Sequence, residues 1–258
     1  MDTIQAEQLH WQSTGQGEDV ILLHGWGMNG AVWQATAEVL SERYRVHIVD
    51  LPGYGHSAHV HASNMDEIVK RLLAMAPPQA VWIGWSLGGL IATQVALSHP
   101  QRVTKLVTVA SSPKFAADLP WRGIKPQVLS AFTDQLREDF SATIERFMGL
   151  QAMGSPSARQ DVKTIKKAVL SRPTPKTGAL ELGLSLLAEH DLRSALHQLQ
   201  QPLLRLYGRL DGLVPVKVAS DLQALLPESG QHIFTDSSHA PFITEPGAFN
   251  QRLVAFIG

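Results

Sequence analysis

Residues 80–100 read AVWIGWSLGGLIATQVALSHP, and the order of events inside them decides the fold. Residues 80–84 form an apolar run rich in β-formers, of the kind buried in a parallel sheet. From Leu87 onward the apolar spacing is helical and stops at Pro100. Ser86 stands between the two, with Gly84 two residues before it and Gly88 two residues after. If the serine needed only burial or a cap, those glycines would weaken both adjoining elements for nothing. They fit a tight strand-to-helix crossing that holds the serine in a strained turn with its Oγ presented, the G-x-S-x-G nucleophile elbow. The start of the following helix adds backbone N–H groups and a dipole that favour a developing negative charge.

Outward from this point the chain repeats the same alternation. VILLHG (20–25), RVHIVD (45–50), VTKLVTVAS (103–111), PLLRLYG (202–208) and QHIFT (231–235) read as further buried strands. Asn64 with Glu67 forms a capping box for MDEIVKRLLAMA, and EPGAFNQRLVAFIG closes the chain with helical spacing. The pattern is α/β, a mostly parallel sheet with helices on both faces. Residues 112–191 interrupt it with amphipathic helices and no convincing strand. They are expected to form a helical lid inserted into a core made of residues 1–111 and 192–258.

Composition narrows the function. The 258 residues are 44% apolar, enough for one full core, and the formal net charge is −1. A polybasic nucleic-acid or membrane binder is excluded by that balance. Cysteine is absent, which removes disulfides, thiolate nucleophiles and cysteine metal sites. No basic-then-apolar leader opens the chain and no apolar run is long enough to span a bilayer, so a soluble cytoplasmic protein is expected, with a monomer as its simplest state.

A serine hydroxyl needs a base and an orienting acid. Of the eleven histidines, His239 lies in a loop after the last strand and before the last helix, from which an imidazole can return to the end of the sheet. His10, His47, His197 and His232 read as strand or polar-face residues, and His56, His59 and His61 crowd a polar loop. They are expected at the surface, and the HxH spacing of 59 and 61 lacks a carboxylate to complete a metal site. Asp211 follows a strand by a short turn, and the order Ser86, Asp211, His239 is nucleophile, acid, base. Asp236 is closer to His239 in sequence but sits on a strand end, which disfavours it. His24-Gly25-Trp26-Gly27 directly after a strand can aim the Trp26 N–H at a substrate oxyanion, with the Leu87 N–H as second donor. His24 is expected to brace that loop, Asp50 to be structural, and Trp85 to be core filler. The chemistry requires no metal and no organic cofactor.

These motifs, with D-L-P-G-x-G-x-S at 50–57, L-x-G-x-L-D-G-L-V-P at 206–215 and H-A-P-F at 239–242, resemble the α/β-hydrolase-fold carboxylesterases. The tryptophans within both glycine motifs and the lid stretches WRGIKP, ERFMGLQAMG and ARQDVKTIKK narrow the resemblance to the pimeloyl-[acyl-carrier protein] methyl ester esterases of biotin synthesis. The resemblance implies Ser86, Asp211 and His239 for catalysis and Trp26 and Leu87 for the oxyanion. It implies a substrate channel along residues 147–151, from Phe147 to Gln151, and an acyl-carrier protein held by Arg146, Arg159, Lys163 and Lys167. The chain departs from the family pattern at Ala142 and Lys163, where arginine is expected.

The lid also carries its own signal. Arg146, Arg159, Lys163, Lys166, Lys167, Arg172 and Lys176 stand against Asp161 alone between positions 146 and 176. On a helical wheel Ala158, Val162, Ile165 and Val169 share one face and the basic residues flank it. That flank is either an ordinary solvated face or the dock of an acidic macromolecule. Phe132, Phe140, Ile144, Phe147 and Met148 have the spacing of lid core. Other hydrolases of the fold, such as lactonases, C–C bond hydrolases and broad short-chain esterases, share the triad, as a ligand receptor on the same scaffold can.

Overall fold

Each apolar run finds a neighbour of its own kind in the computed structural model, which describes residues 8–258 apart from the side chains of Arg137, Phe140 and Ser141. The strands are β1 (Trp11–Thr14), β2 (Asp19–Leu23), β3 (Arg45–Val49), β4 (Ala80–Trp85), β5 (Val103–Val109), β6 (Leu203–Gly208) and β7 (Gly230–Phe234). They form one sheet in the order β1-β3-β2-β4-β5-β6-β7. All adjacent pairs are parallel except β1 with β3. β4 is the middle strand and is buried along its whole length, so the turn that follows it leaves the sheet at its centre.

β1 is absent from the sequence reading for a physical reason. Its residues WQST are mostly exposed, so neither alternation nor an apolar run marks it. It is held by pairing Trp11 with Val49 and by His47, whose Nδ1 accepts from the Trp11 indole and the Ser13 hydroxyl while Nε2–H donates to Asp19 at 2.7 Å. His47 is therefore buried, not at the surface, because β1 covers it.

Helices α1 (Gln34–Leu40) and α10 (Pro246–Ile257) pack together on one face, while α2 (Met65–Met75) and α3 (Leu87–Ser98) pack on the other, with α8 (Lys217–Leu225) between β6 and β7 in the chain. At the start of α2 the Asn64 side chain accepts from Glu67 N–H, a cap worth about 1 kcal/mol. The return half of the expected box shifts by one residue, the Glu67 carboxylate accepting from Ser63 N–H.

Between β5 and β6 stand α4 (Pro126–Glu138), α5 (Phe140–Ala152), α6 (Ala158–Leu170) and α7 (Thr177–Glu189). Phe132, Ile144, Phe147 and Met148 are buried among them; the Phe140 side chain lies outside the described residues. α6 buries Ile165 and Val169 and leaves Arg159, Lys163, Lys166 and Lys167 exposed. It also buries its one acid: Asp161 accepts from Ser155, from Ser157 and from Thr244 of the short helix α9 (Pro241–Thr244). At the far end Arg172 is withdrawn from the surface to pair with Asp50, so the basic flank is smaller than composition suggests. Lys166 is engaged with Glu145.

Candidate active site

Ser86 is the turn between β4 and α3 and has φ 54° and ψ −118°, a left-handed conformation costly for a residue with a side chain. The surroundings enforce it. A Cβ on Gly84 would overlap the Gly88 carbonyl, and one on Gly88 would lie 2.5 Å from the Leu23 carbonyl oxygen. The strand, the helix and the end of β2 therefore meet at distances that only hydrogen side chains allow. Ser86 N–H donates to Val109 and the Ser111 hydroxyl donates to the Ser86 carbonyl, which clamps the turn from β5.

His239 and Asp211 reach this turn from loops after β7 and β6. Ser86 Oγ lies 2.9 Å from His239 Nε2, and His239 Nδ1 lies 2.7 Å from Asp211 Oδ2. The other Asp211 oxygen accepts from the N–H groups of Leu213 and Val214, so both carboxylate oxygens are engaged. All three residues are buried. Asp236 is exposed, its backbone N–H donated to Glu245.

The imidazole is fixed through its backbone as well. His239 N–H donates to the Gln151 carbonyl at the end of α5, and the His239 carbonyl accepts the Trp85 indole N–H at 2.7 Å. Trp85 thus does more than fill the core: the residue before Ser86 helps to position His239. A tryptophan directly inside a G-x-S-x-G, with an indole donor needing a partner, is the signal that could have disclosed this.

The turn after β2 lies beside the elbow. Trp26 is buried, its indole donating to Leu180 of α7 and its ring edge-on to Phe147 of α5. A Cβ on Gly183 would come within 2.5 Å of Trp26 Cδ1, so the glycine is what lets α7 close on the indole. Leu87 opens α3, where its N–H has no acceptor within the helix. His24 braces the turn. Its Nδ1–H donates to Gly25 and its Nε2 accepts from Leu51 N–H, and burial depresses its pKa to about 4.

Beyond Ser86 an apolar pocket is lined by Phe115, Ile124, Phe132, Phe147, Leu187 and Leu213 together with Leu129 and Leu184. Gln151 is buried, with its side-chain oxygen unpartnered. Arg146 is exposed, hydrogen-bonded to Gln135 and stacked over Phe132. His59 and His61 are exposed, and among the described residues no three His, Asp or Glu side chains converge as metal ligands. A hydroxyl nucleophile bonded to an imidazole bonded to a carboxylate can perform acyl transfer.

Comparison with known proteins agrees with this chemistry. Residues 20–246 match the family model described as the alpha/beta hydrolase fold. A protein of Vibrio vulnificus strain CMCP6 named pimeloyl-[acyl-carrier protein] methyl ester esterase is 66% identical over 250 residues, covering 97% of this chain and 98% of its own. A protein of the same name from Vibrio cholerae is 64% identical over 248 residues, covering 96% and 97%. Among solved structures, an esterase from Exiguobacterium antarcticum superposes with a TM-score of 0.87 at 21% identity, covering 96% of this chain and 95% of that one. The enol-lactonase from Burkholderia xenovorans LB400 gives 0.84 at 19% identity, covering 96% of each. These two likenesses concern the fold alone.

Proposed function

The chain belongs to the α/β-hydrolase family, among the pimeloyl-[acyl-carrier protein] methyl ester esterases, and on that footing we infer that it hydrolyses the methyl ester of pimeloyl-acyl-carrier protein in biotin synthesis. The observation that carries the chemistry is the continuous line of hydrogen bonds from Ser86 Oγ through His239 to Asp211. His239 Nε2 takes the hydroxyl proton as Ser86 attacks the ester carbonyl, and Asp211 holds the imidazole in the required tautomer and stabilises its cation. The N–H groups of Trp26 and Leu87 receive the oxyanion, each worth about a hundredfold or more in rate. His239 then protonates the departing methoxide, methanol leaves, and water attacks the acyl-enzyme with His239 again as base. The free carboxylate is released while the carrier keeps the other end of the chain by its thioester.

The carrier protein is acidic in this reading and meets the exposed Arg146, Arg159, Lys163 and Lys167 on α5 and α6, with the acyl chain passing Phe147 and Gln151. The core and the helices between β5 and β6 act as scaffold and lid. The enzyme works as a cytoplasmic monomer without a cofactor, and no helix among the described residues is long and apolar enough to cross a membrane. Purified protein assayed on methyl pimeloyl-acyl-carrier protein beside methyl butyrate tests the reading. A kcat/KM for the carrier-linked ester at least about tenfold above that for methyl butyrate supports it. Equal values would make this a broad esterase.

A further inference from the structure

The apolar pocket behind Ser86 is very small. Its free volume is about 10 Å³, room for one water-sized or methyl-sized group and far too little for a seven-carbon acyl chain. Two of its lining residues, Leu129 of α4 and Leu184 of α7, also line a wide outer cleft of about 580 Å³. Both are nearly inaccessible to solvent, so the partition between pocket and cleft is one layer of leucine side chains. The cleft itself is bordered by polar groups of α4, α7 and the segment before α2, including Thr133, Ser185 and Ser63.

The cleft and the cations of α6 are built on different helices. α6 and the residues that follow it are fastened to the turns after β2 and β3 and to α9, through Asn29 Nδ2–H donated to the Val169 carbonyl, Arg172 on Asp50 and Thr244 on Asp161. The cleft opens toward the α2 and α3 face, where His190 after α7 reaches Gln94 of α3. A carrier held by the α6 cations would not use the side chains that border the cleft.

We propose that the pocket behind Ser86 receives the alcohol portion of the ester, and that Leu129 and Leu184 set the largest alcohol accepted and form the gate through which it leaves into the outer cleft. The orientation rests on the carrier-linked reading above; the size limit rests on the pocket alone. A methoxy group fits the space as it stands. A longer alkoxy chain must push the two leucines toward the cleft, and each methylene that cannot be housed costs discrimination of about tenfold or more. Methanol then has a short apolar path outward between the leucines.

The test varies the two halves of the ester separately. Acid release is measured from methyl, butyl and hexyl butyrate, and then from methyl acetate, butyrate and octanoate, in the wild type, Leu129→Ala, Leu184→Ala and Leu184→Phe. The alanine variants are expected to raise the hexyl-to-methyl ratio of kcat/KM by about tenfold or more, while the octanoate-to-acetate ratio moves by less than about threefold. Leu184→Phe is expected to lower the butyl-to-methyl ratio. Ratios are taken within each variant, so a loss of folded protein does not mimic the effect, and Leu129→Val carries the same sign if an alanine form is unstable. A change confined to the acid series would assign the pocket to the acyl chain and overturn the proposal, as would unchanged ratios in both series. Failure on the carrier-linked ester with both small-ester series intact would overturn only the carrier reading.

Discussion

The Asp50 carboxylate, wholly buried at the end of β3, holds the Arg172 guanidinium beyond the end of α6 at 2.7 Å across 122 residues of sequence. The same carboxylate accepts from Gly30 N–H and His56 N–H, so it ties two loops and the segment after α6 into one knot. Removing one partner of a buried pair leaves the other charge unpaired. Arg172→Ala is expected to cost about 3–5 kcal/mol in denaturant unfolding, and Asp50→Asn with Arg172→Leu together less than the sum of the single changes. Additive losses would mean the two side chains act independently.

The triad should behave as a unit. Ser86→Ala, His239→Ala and Asp211→Asn are each expected to lower kcat/KM on methyl butyrate by about 10⁴-fold or more, with the double variants little worse than the worst single one. Circular dichroism should show an unchanged fold. Near wild-type turnover in Asp211→Asn, with loss in Asp236→Asn, would move the acid to the other aspartate.

His24 gives a pH dependence of stability with a definite sign. Its folded pKa of about 4 lies below the ordinary 6.5 because burial disfavours the cation, and a proton on Nε2 would face the Leu51 N–H. The unfolded chain therefore binds the proton first. The wild type should lose about 3 kcal/mol of stability from this group as pH falls from about 6.5 to about 4, with no further loss from it below that. In His24→Gln, the difference between variant and wild-type unfolding free energies should shift in the variant's favour across that window. A difference constant with pH would show that His24 does not titrate as argued.

Gly183→Ala tests the seat of Trp26. The added methyl meets Trp26 Cδ1 at 2.5 Å and the Tyr54 hydroxyl at 2.9 Å. Overpacking of this kind costs about 1–3 kcal/mol, read as a lower thermal midpoint. Because the Trp26 N–H is assigned to the oxyanion, kcat should fall by more than KM rises. A lowered midpoint with unchanged kcat would detach Trp26 from the oxyanion.

Charge reversal at Arg159, Lys163 and Lys167 tests the dock. The triple glutamate variant is expected to raise KM for methyl pimeloyl-acyl-carrier protein by about tenfold or more while leaving methyl butyrate turnover in place. Added salt should raise that KM in the wild type and change it less in the variant. Equal losses on both substrates would point to a deformed lid.

What was legible in the chain is what short-range pattern encodes. The apolar strand, the glycines around Ser86 and the helical spacing after it are local requirements of one turn, so residues 80–100 suffice to read β4, the elbow and α3. His239 and Asp211 were legible because each follows a strand whose end must lie on the same edge of a parallel sheet. Asp161 reads in sequence only as the one acid among the cations of the flank, and nothing nearby names Thr244 as its partner. Other features had no local signature. β1 exists because β3 offers it an edge, and His47 is buried because β1 covers it. Arg172 reads like any other cation of the flank until folding brings Asp50 to it. The Trp85 indole and the His239 carbonyl are 154 residues apart, and Leu129 and Leu184 become one wall only when α4 packs on α7. Periodicity and turn chemistry report which face a residue prefers, and those preferences act over a few residues. Which partner waits on that face is set by packing between distant segments, and only the tertiary structure holds it.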